Sequence, residues 1–108
     1  MIKELSVKVL EDLKLENICV YSLINRSPFF DYLICATASS DRQANAVFEH
    51  LKEEMAKNGI EIKNVEGKNS TWVLVDLGSV IVNVFNRESR SYYDLDTLYF
   101  DLLHEKYN

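Results

Sequence analysis

Between Trp72 and Phe85 the chain reads W-V-L-V-D-L-G-S-V-I-V-N-V-F. β-Branched and aliphatic residues alternate on both sides of Gly78-Ser79, which describes a β-hairpin. Glycine at the first central position is what a two-residue type II′ turn requires, because that position needs a positive φ. An even-length loop centred there pairs residues whose numbers sum to an odd value, so the faces can be assigned. One face carries Val73, Val75, Leu77, Val80, Val82 and Val84, all apolar, and must be buried. The other carries Trp72, Leu74, Asp76, Ile81, Asn83 and Phe85. A second core face does not normally hold an unpaired aspartate, since burying a charge without a partner is costly. A plain solvent face has no need of Trp, Ile and Phe together. The mixed face is therefore the place to look for function.

The 108 residues suit a single domain spanning 1–108, long enough for a sizeable core. With three glycines and one proline there is little room for linkers, and no segment is repeated or low in complexity. No apolar run approaches the ~20 residues of a membrane span. Lys3, Glu4, Lys8, Glu11 and Asp12 interrupt the N-terminal segment in a way a signal peptide does not tolerate. Cys19 and Cys35 lack C-x-x-C spacing and read as buried, reduced thiols of a cytoplasmic protein. The net charge of −5 argues against direct nucleic-acid readout, which needs a basic surface, and suits a basic protein partner.

In chain order, Ile2, Leu5, Val9 and Leu13 form a helical stripe over residues 2–14, broken by Asn17. Residues 18–23 read as a strand, and Pro28 marks the loop after it. Residues 31–37 form a second strand, near-continuously apolar in its middle, as expected of a strand covered on both sides. Ser40 and Gln43 fit a capping box opening a helix with the stripe Ala44, Val47, Phe48, Leu51 and Met55, ended by Gly59. Residues 60–65 alternate as a strand, the hairpin follows, and residues 86–91 read as a polar loop. Asp94 then caps a last helix with the stripe Leu95, Leu98, Tyr99, Leu102 and Leu103. The expectation is an α/β fold in the order αββαβββα, a mixed five-stranded sheet with covering helices.

No catalytic constellation emerges. His50 lies on a helix among Glu49, Lys52 and Glu53, and His104 lies near the end of the last helix. Neither has a second ligand at metal-binding spacing. Asp94 and Asp96 imitate the D-x-D pair that grips Mg²⁺ in nucleotidyl transfer. At a helix start such carboxylates diverge by roughly 200°, so capping explains them better. Arg90, Tyr92 and Tyr93 follow the mixed hairpin face. Beside Trp72 and Phe85 they compose a protein–protein hot spot, with Asp76 meeting a partner's Lys or Arg. The two tyrosines serve equally well as staples of the last helix.

These residues also resemble a known family. The run E-G-K-N-S-T-W-V-L-V-D-L-G-S-V-I-V-N-V-F, then R-S-Y-Y-D-L-D-T-L-Y, is similar to the ribosomal silencing factor (Iojap-like, RsfS) family, as is the earlier F-D-Y-L-I-C-A-T-A-S-S-D-R-Q. The resemblance covers residues 2–100. It implies a sandwich similar to nucleotidyltransferases without their catalytic residues, no enzyme activity, no metal and no cofactor. It also implies binding to a basic protein of the large ribosomal subunit, ribosomal protein fourteen, which blocks subunit joining when nutrients are scarce. The free protein is expected to be a homodimer. Trp72, Asp76, Tyr93, Asp94, Leu95, Asp31 and Tyr32 match the family pattern. Ser79, Asn83 and Tyr99 depart from its usual Asp, His and Trp.

Three readings follow. The first is a translational repressor docking through Trp72, Leu74, Asp76, Asn83, Phe85, Arg90, Tyr92, Tyr93, Asp94, Asp31 and Tyr32. The second is a nucleotide-binding or nucleotidyltransferase-like enzyme, which needs a carboxylate pair on a strand. The third is a dimerisation module whose aromatic face meets its own copy.

Overall fold

A computed structural model describes residues 1–108. The element order is α1 (Ile2–Asp12), β1 (Glu16–Ser22), β2 (Tyr32–Thr37), α2 (Asp41–Lys57), β3 (Asn64–Glu66), β4 (Trp72–Asp76), β5 (Val80–Phe85), α3 (Arg87–Tyr93), α4 (Leu95–Leu98) and β6 (His104–Lys106). The strands form one sheet in the order β3-β4-β5-β2-β1-β6. All neighbours are antiparallel except β2 and β5, which run parallel. The expected α/β mixed sheet is present, with six strands in place of five.

The hairpin has the expected register. Trp72 pairs with Phe85, Leu74 with Asn83 and Asp76 with Ile81. The Leu77 N–H donates to Val80 O at 2.9 Å, closing a two-residue loop. Gly78 has φ +96° while Ser79 keeps a negative φ, the signature of a type II′ turn. Asp76 Oδ1 accepts from the Gly78 N–H at 2.8 Å, so the carboxylate also braces the bend.

The all-apolar hairpin face is sealed. Val73, Val75, Leu77, Val80, Val82 and Val84 are buried against Val9 and Leu10 of α1 and Val47, Leu51 and Met55 of α2. Burying each valine contributes about 1.5–2 kcal/mol relative to leaving it in water. The opposite face holds a smaller cluster built from Cys19, Tyr21, Leu33, Cys35, Phe85 and Leu102, with Leu95 and Tyr99 of the α4 region packed on it. One face is thus covered by two long helices, and the other only partly by two short ones.

Helix ends follow local chemistry. Ser40 Oγ accepts from the Gln43 N–H at 3.1 Å. Gln43 Oε1 returns the bond to the Ser39 N–H at 2.6 Å, one residue before the N-cap. The α2 terminus is a Schellman motif. Gly59, at φ +71°, donates to Ala56 O, and the Ile60 N–H donates to Met55 O. Ser40→Ala is expected to cost about 1 kcal/mol, because it strips the cap from the helix that covers the core. A urea titration followed by far-ultraviolet circular dichroism reads that loss.

Four expectations need correction. Only Asn64–Glu66 of the anticipated strand 60–65 joins the sheet, because Ile60 is still engaged in ending α2. Ile60 and Ile62 nevertheless pack against the core, so their alternation marks burial without a ladder. Residues 86–91 are no loop. The Asn86 side chain accepts from the Ser89 N–H at 2.8 Å and starts α3. The last helix is a single turn, since the chain bends after Leu98. His104 therefore lies in β6, paired with Tyr21 of β1 rather than at a helix end.

Candidate functional site

The second sheet face is built in rows. Register places Trp72, Leu74 and Asp76 of β4 beside Phe85, Asn83 and Ile81 of β5. Thr37, Cys35 and Leu33 of β2 follow on the far side. Glu66 and Asn64 of β3 lie opposite Leu74 and Asp76 and extend this face to the sheet margin.

α3 places its tyrosines on the Trp72 end. The Tyr93 ring lies 4.7 Å from the indole and 6.4 Å from Phe85, and Trp72 lies 5.0 Å from Phe85. Tyr92 meets Tyr93 edge-on at 5.0 Å. Tyr92 is 80% exposed and Tyr93 47% exposed, while Trp72 and Leu74 are half-buried. The indole is fixed from within, because Trp72 Nε1 donates to Asn83 Oδ1 at 2.9 Å and Asn83 Nδ2 donates to Ile34 O at 3.3 Å. A shallow groove of about 310 Å³, lined by Glu66, Gly67, Trp72 and Leu74, runs alongside. Rigid rings, an aliphatic neighbour and flanking carboxylates are the ingredients of a surface for a basic partner.

A part-buried ion pair holds α3 and α4 in place. Arg90 Nε donates to Asp96 Oδ2 at 2.6 Å and its Nη2 to Oδ1 at 3.0 Å, while Nη1 donates to Thr37 Oγ1 at 3.0 Å. The Tyr21 hydroxyl donates to Asp96 Oδ1 at 2.5 Å. Burial acts to raise the Asp96 pKa, but the hydrogen bonds from Arg90 and Tyr21 outweigh it and hold the carboxyl below its usual range. Burial acts against the Arg90 charge, yet the same pairing raises its pKa. Burial, then the bond to Asp96, pushes the Tyr21 hydroxyl up, so it remains a donor.

The structure gathers Trp72, Leu74, Tyr92 and Tyr93 on one surface, with Asp76 half-buried along the same row and Asp94 exposed just beyond Tyr93. It takes other residues of the anticipated face elsewhere. Asn83 and Phe85 are 1% exposed and serve as the floor beneath the indole, with Tyr93 also packed near Phe85. Arg90, 14% exposed at its side chain, has turned inward and gives three of its five N–H groups to Asp96 and Thr37. Tyr32 sits on the opposite face of the sheet, where Lys3 Nζ stands 4.7 Å from its ring. Asp31 is exposed at the hairpin end, with its N–H donating to Ser79 O. Glu66 was not among the anticipated residues. Only its register opposite Leu74 reveals it, and the alternation of residues 60–65 was the one available hint.

Asp94 and Asp96 do not form an ion-gripping pair. Asp94 adopts a left-handed conformation at φ +49°, closing α3 and capping α4 through the Thr97 N–H. Asp96 is engaged at both oxygens by Arg90 and Tyr21. No group of three or more His, Cys, Asp or Glu side chains is placed to hold a metal. Cys19 and Cys35 are buried thiols, and burial pushes Cys35 up to about 12, so it carries no thiolate at neutral pH. No helix is long and apolar enough to cross a membrane.

Comparison with known proteins places this surface in context. A family model described as "Ribosomal silencing factor during starvation" matches residues 2–107. The ribosomal silencing factor RsfS of Bacillus subtilis is 36% identical over 101 residues, covering 93% of this chain and 86% of its own. Its counterpart in Haemophilus influenzae is 35% identical, covering 89% of this chain and 95% of its own. A crystal structure of a Chromobacterium violaceum protein superposes with a TM-score of 0.86 at 33% identity, covering 92% of this chain and 83% of that one. A second, from Bacillus halodurans, gives 0.79 at 35% identity, covering 89% and 90%.

Proposed function

The chain belongs to the ribosomal silencing factor family, regulators that act by binding the ribosome during starvation and not by catalysis, and on that premise we propose how it binds. It docks on a basic protein of the large subunit, ribosomal protein fourteen, and stands as a steric wedge against the small subunit. The observation that carries this reading is the acid-flanked aromatic strip. Leu74 has Glu66 opposite it on β3 and Asp76 two residues on, Trp72 precedes it in the same row, and Tyr92 and Tyr93 project beside the indole. The rings are prepositioned by Asn83 and Phe85, so little freedom is lost on docking. The carboxylates attract a basic partner and raise the association rate. When free, the chain pairs with a second copy of itself.

The test uses residues whose loss leaves the core untouched. Tyr92→Ala removes an exposed ring and Glu66→Lys reverses a marginal charge. Together they are expected to weaken co-sedimentation with large subunits by about a hundredfold, while the melting temperature stays within a few degrees of the parent. Analytical ultracentrifugation of the same variant and of the parent reports the free protein's mass. Unchanged co-sedimentation would overturn the docking surface, and a parent that stays monomeric at every concentration would overturn the pairing.

A further inference from the structure

A pocket distinct from the aromatic strip opens at the other margin of the same sheet face. Its volume is about 270 Å³, and it lies between β1, β6 and the turn after α4. Register explains its chemistry. Lys106 pairs with Cys19 and His104 with Tyr21, so both β6 side chains project on the face that carries Arg90. Glu105, between them, points to the opposite face and reaches Lys3 at 3.6 Å. The alternation therefore directs the cationic and imidazole groups inward and the carboxylate away.

Several donors in this pocket are not consumed by the protein. Arg90 uses one N–H on each of its three nitrogens for Asp96 and Thr37. A guanidinium has five N–H groups, which leaves two. The Lys106 ammonium forms no ion pair, and the Asn17 side chain, on the pocket wall, makes no hydrogen bond within the chain. His104 Nδ1 donates to Leu102 O at 2.8 Å, which orients the ring and leaves Nε2 without a partner. Asp96 also lines the pocket, but its two oxygens are engaged by Arg90 and Tyr21. Among the side chains of the lining, Arg90 and Lys106 stand against Asp96, a side-chain sum of +1 in a chain whose side-chain total is −5. Phe100, 71% exposed and 5.8 Å from the His104 ring, supplies an apolar wall at the pocket.

We propose that this pocket binds a small oxyanion, a phosphate or carboxylate carried by a compact metabolite, held by Arg90, Lys106 and Asn17 with its carbon portion against Phe100. The oxyanion receives charge-assisted hydrogen bonds, and His104 Nε2 meets a hydroxyl or a protonated oxygen of the ligand. The site does not depend on the docking reading, and its assay contains no ribosome, so the two can fail separately.

The full-length chain, labelled with ¹⁵N, is titrated with inorganic phosphate, citrate and adenosine monophosphate in turn. The expected result is saturable shifts for at least one probe, confined to the amides of Asn17, Cys19, His104 and Lys106 and to Arg90 Nε. Phosphate alone identifies the anion as sufficient, while a response only to citrate or the nucleotide shows that the attached carbon skeleton contributes. Lys106→Glu, on the exposed edge strand, weakens the effective probe by at least about tenfold. Lys8→Glu on the outer side of α1 leaves it unchanged. The proposal is overturned if no probe gives saturable shifts, if the shifts scatter over surface lysines, or if Lys106→Glu binds as well as the parent.

Discussion

Trp72→Ala is expected to lower the unfolding free energy by about 3 kcal/mol, a large share of the 5–15 kcal/mol typical of such a domain. The indole contacts Phe85 and Tyr93, and its removal opens a void over a buried phenyl ring. It also strands Asn83 Oδ1, an acceptor on a side chain that is 1% exposed. Trp72→Phe retains most of the packing and isolates the hydrogen bond, at about 1–2 kcal/mol. A double-mutant cycle with Asn83→Val, read by urea unfolding, measures the coupling. A cycle that closes to zero would show that the indole N–H is indifferent to Asn83. Trp72→Ala thus combines two effects, and loss of ribosome binding in that variant alone does not identify a contact residue. This is why the docking test uses Tyr92 and Glu66.

Removing one member of the Arg90–Asp96 pair produces the other large effect. Arg90→Met leaves Asp96 and Tyr21 in a part-buried site without the cation, at an expected cost of about 2–4 kcal/mol. Because Arg90 is in α3 and Asp96 in α4, the loss falls first on the segment that carries Tyr92 and Tyr93. Hydrogen exchange of the amides between Arg87 and Leu98 reports the loosening directly. The pH dependence has a definite sign. The folded-state pKa of Asp96 is depressed, so its stabilisation is present above the unfolded value, near 3.9, and is lost as pH falls through the lower folded value. The parent should therefore lose more stability than Arg90→Met on acidification below about pH 4. Parallel acid slopes for the two proteins would contradict this account.

Much of the architecture was legible because it rests on period and turn chemistry. The hairpin register, the sealed valine face, the buried central strand and the capped α2 all come from alternation, one glycine and one Ser/Gln pair. What escaped lacked such signals. α1 closes through a Schellman motif with Lys14, not glycine, in the left-handed position at φ +64°. α3 starts on Asn86 within a polar run that reads equally as loop. β6 is His-Glu-Lys, which has no apolar alternation, and it is a strand only because β1 offers it a free edge. Of the candidate surface, the shared position of Trp72, Leu74 and Asp76 on one strand face was legible from alternation, with Tyr92 and Tyr93 following nearby in the chain. The burial of Asn83 and Phe85 and the inward turn of Arg90 were not legible, because composition shows that a face is mixed but not how much of it the chain itself covers. Tyr32, included through the family resemblance alone, neighbours Leu33 in the strand and so lies on the other side of the sheet from Leu33 and Cys35.

Both outermost strands, Asn64–Glu66 and His104–Lys106, are only three residues long and carry ionic side chains. Such margins offer an incoming strand almost nothing to zip onto, and charge discourages it further. Growth by strand addition at either edge of the sheet is therefore disfavoured. A chain present at high concentration thus lacks the open sheet edge from which ribbons grow.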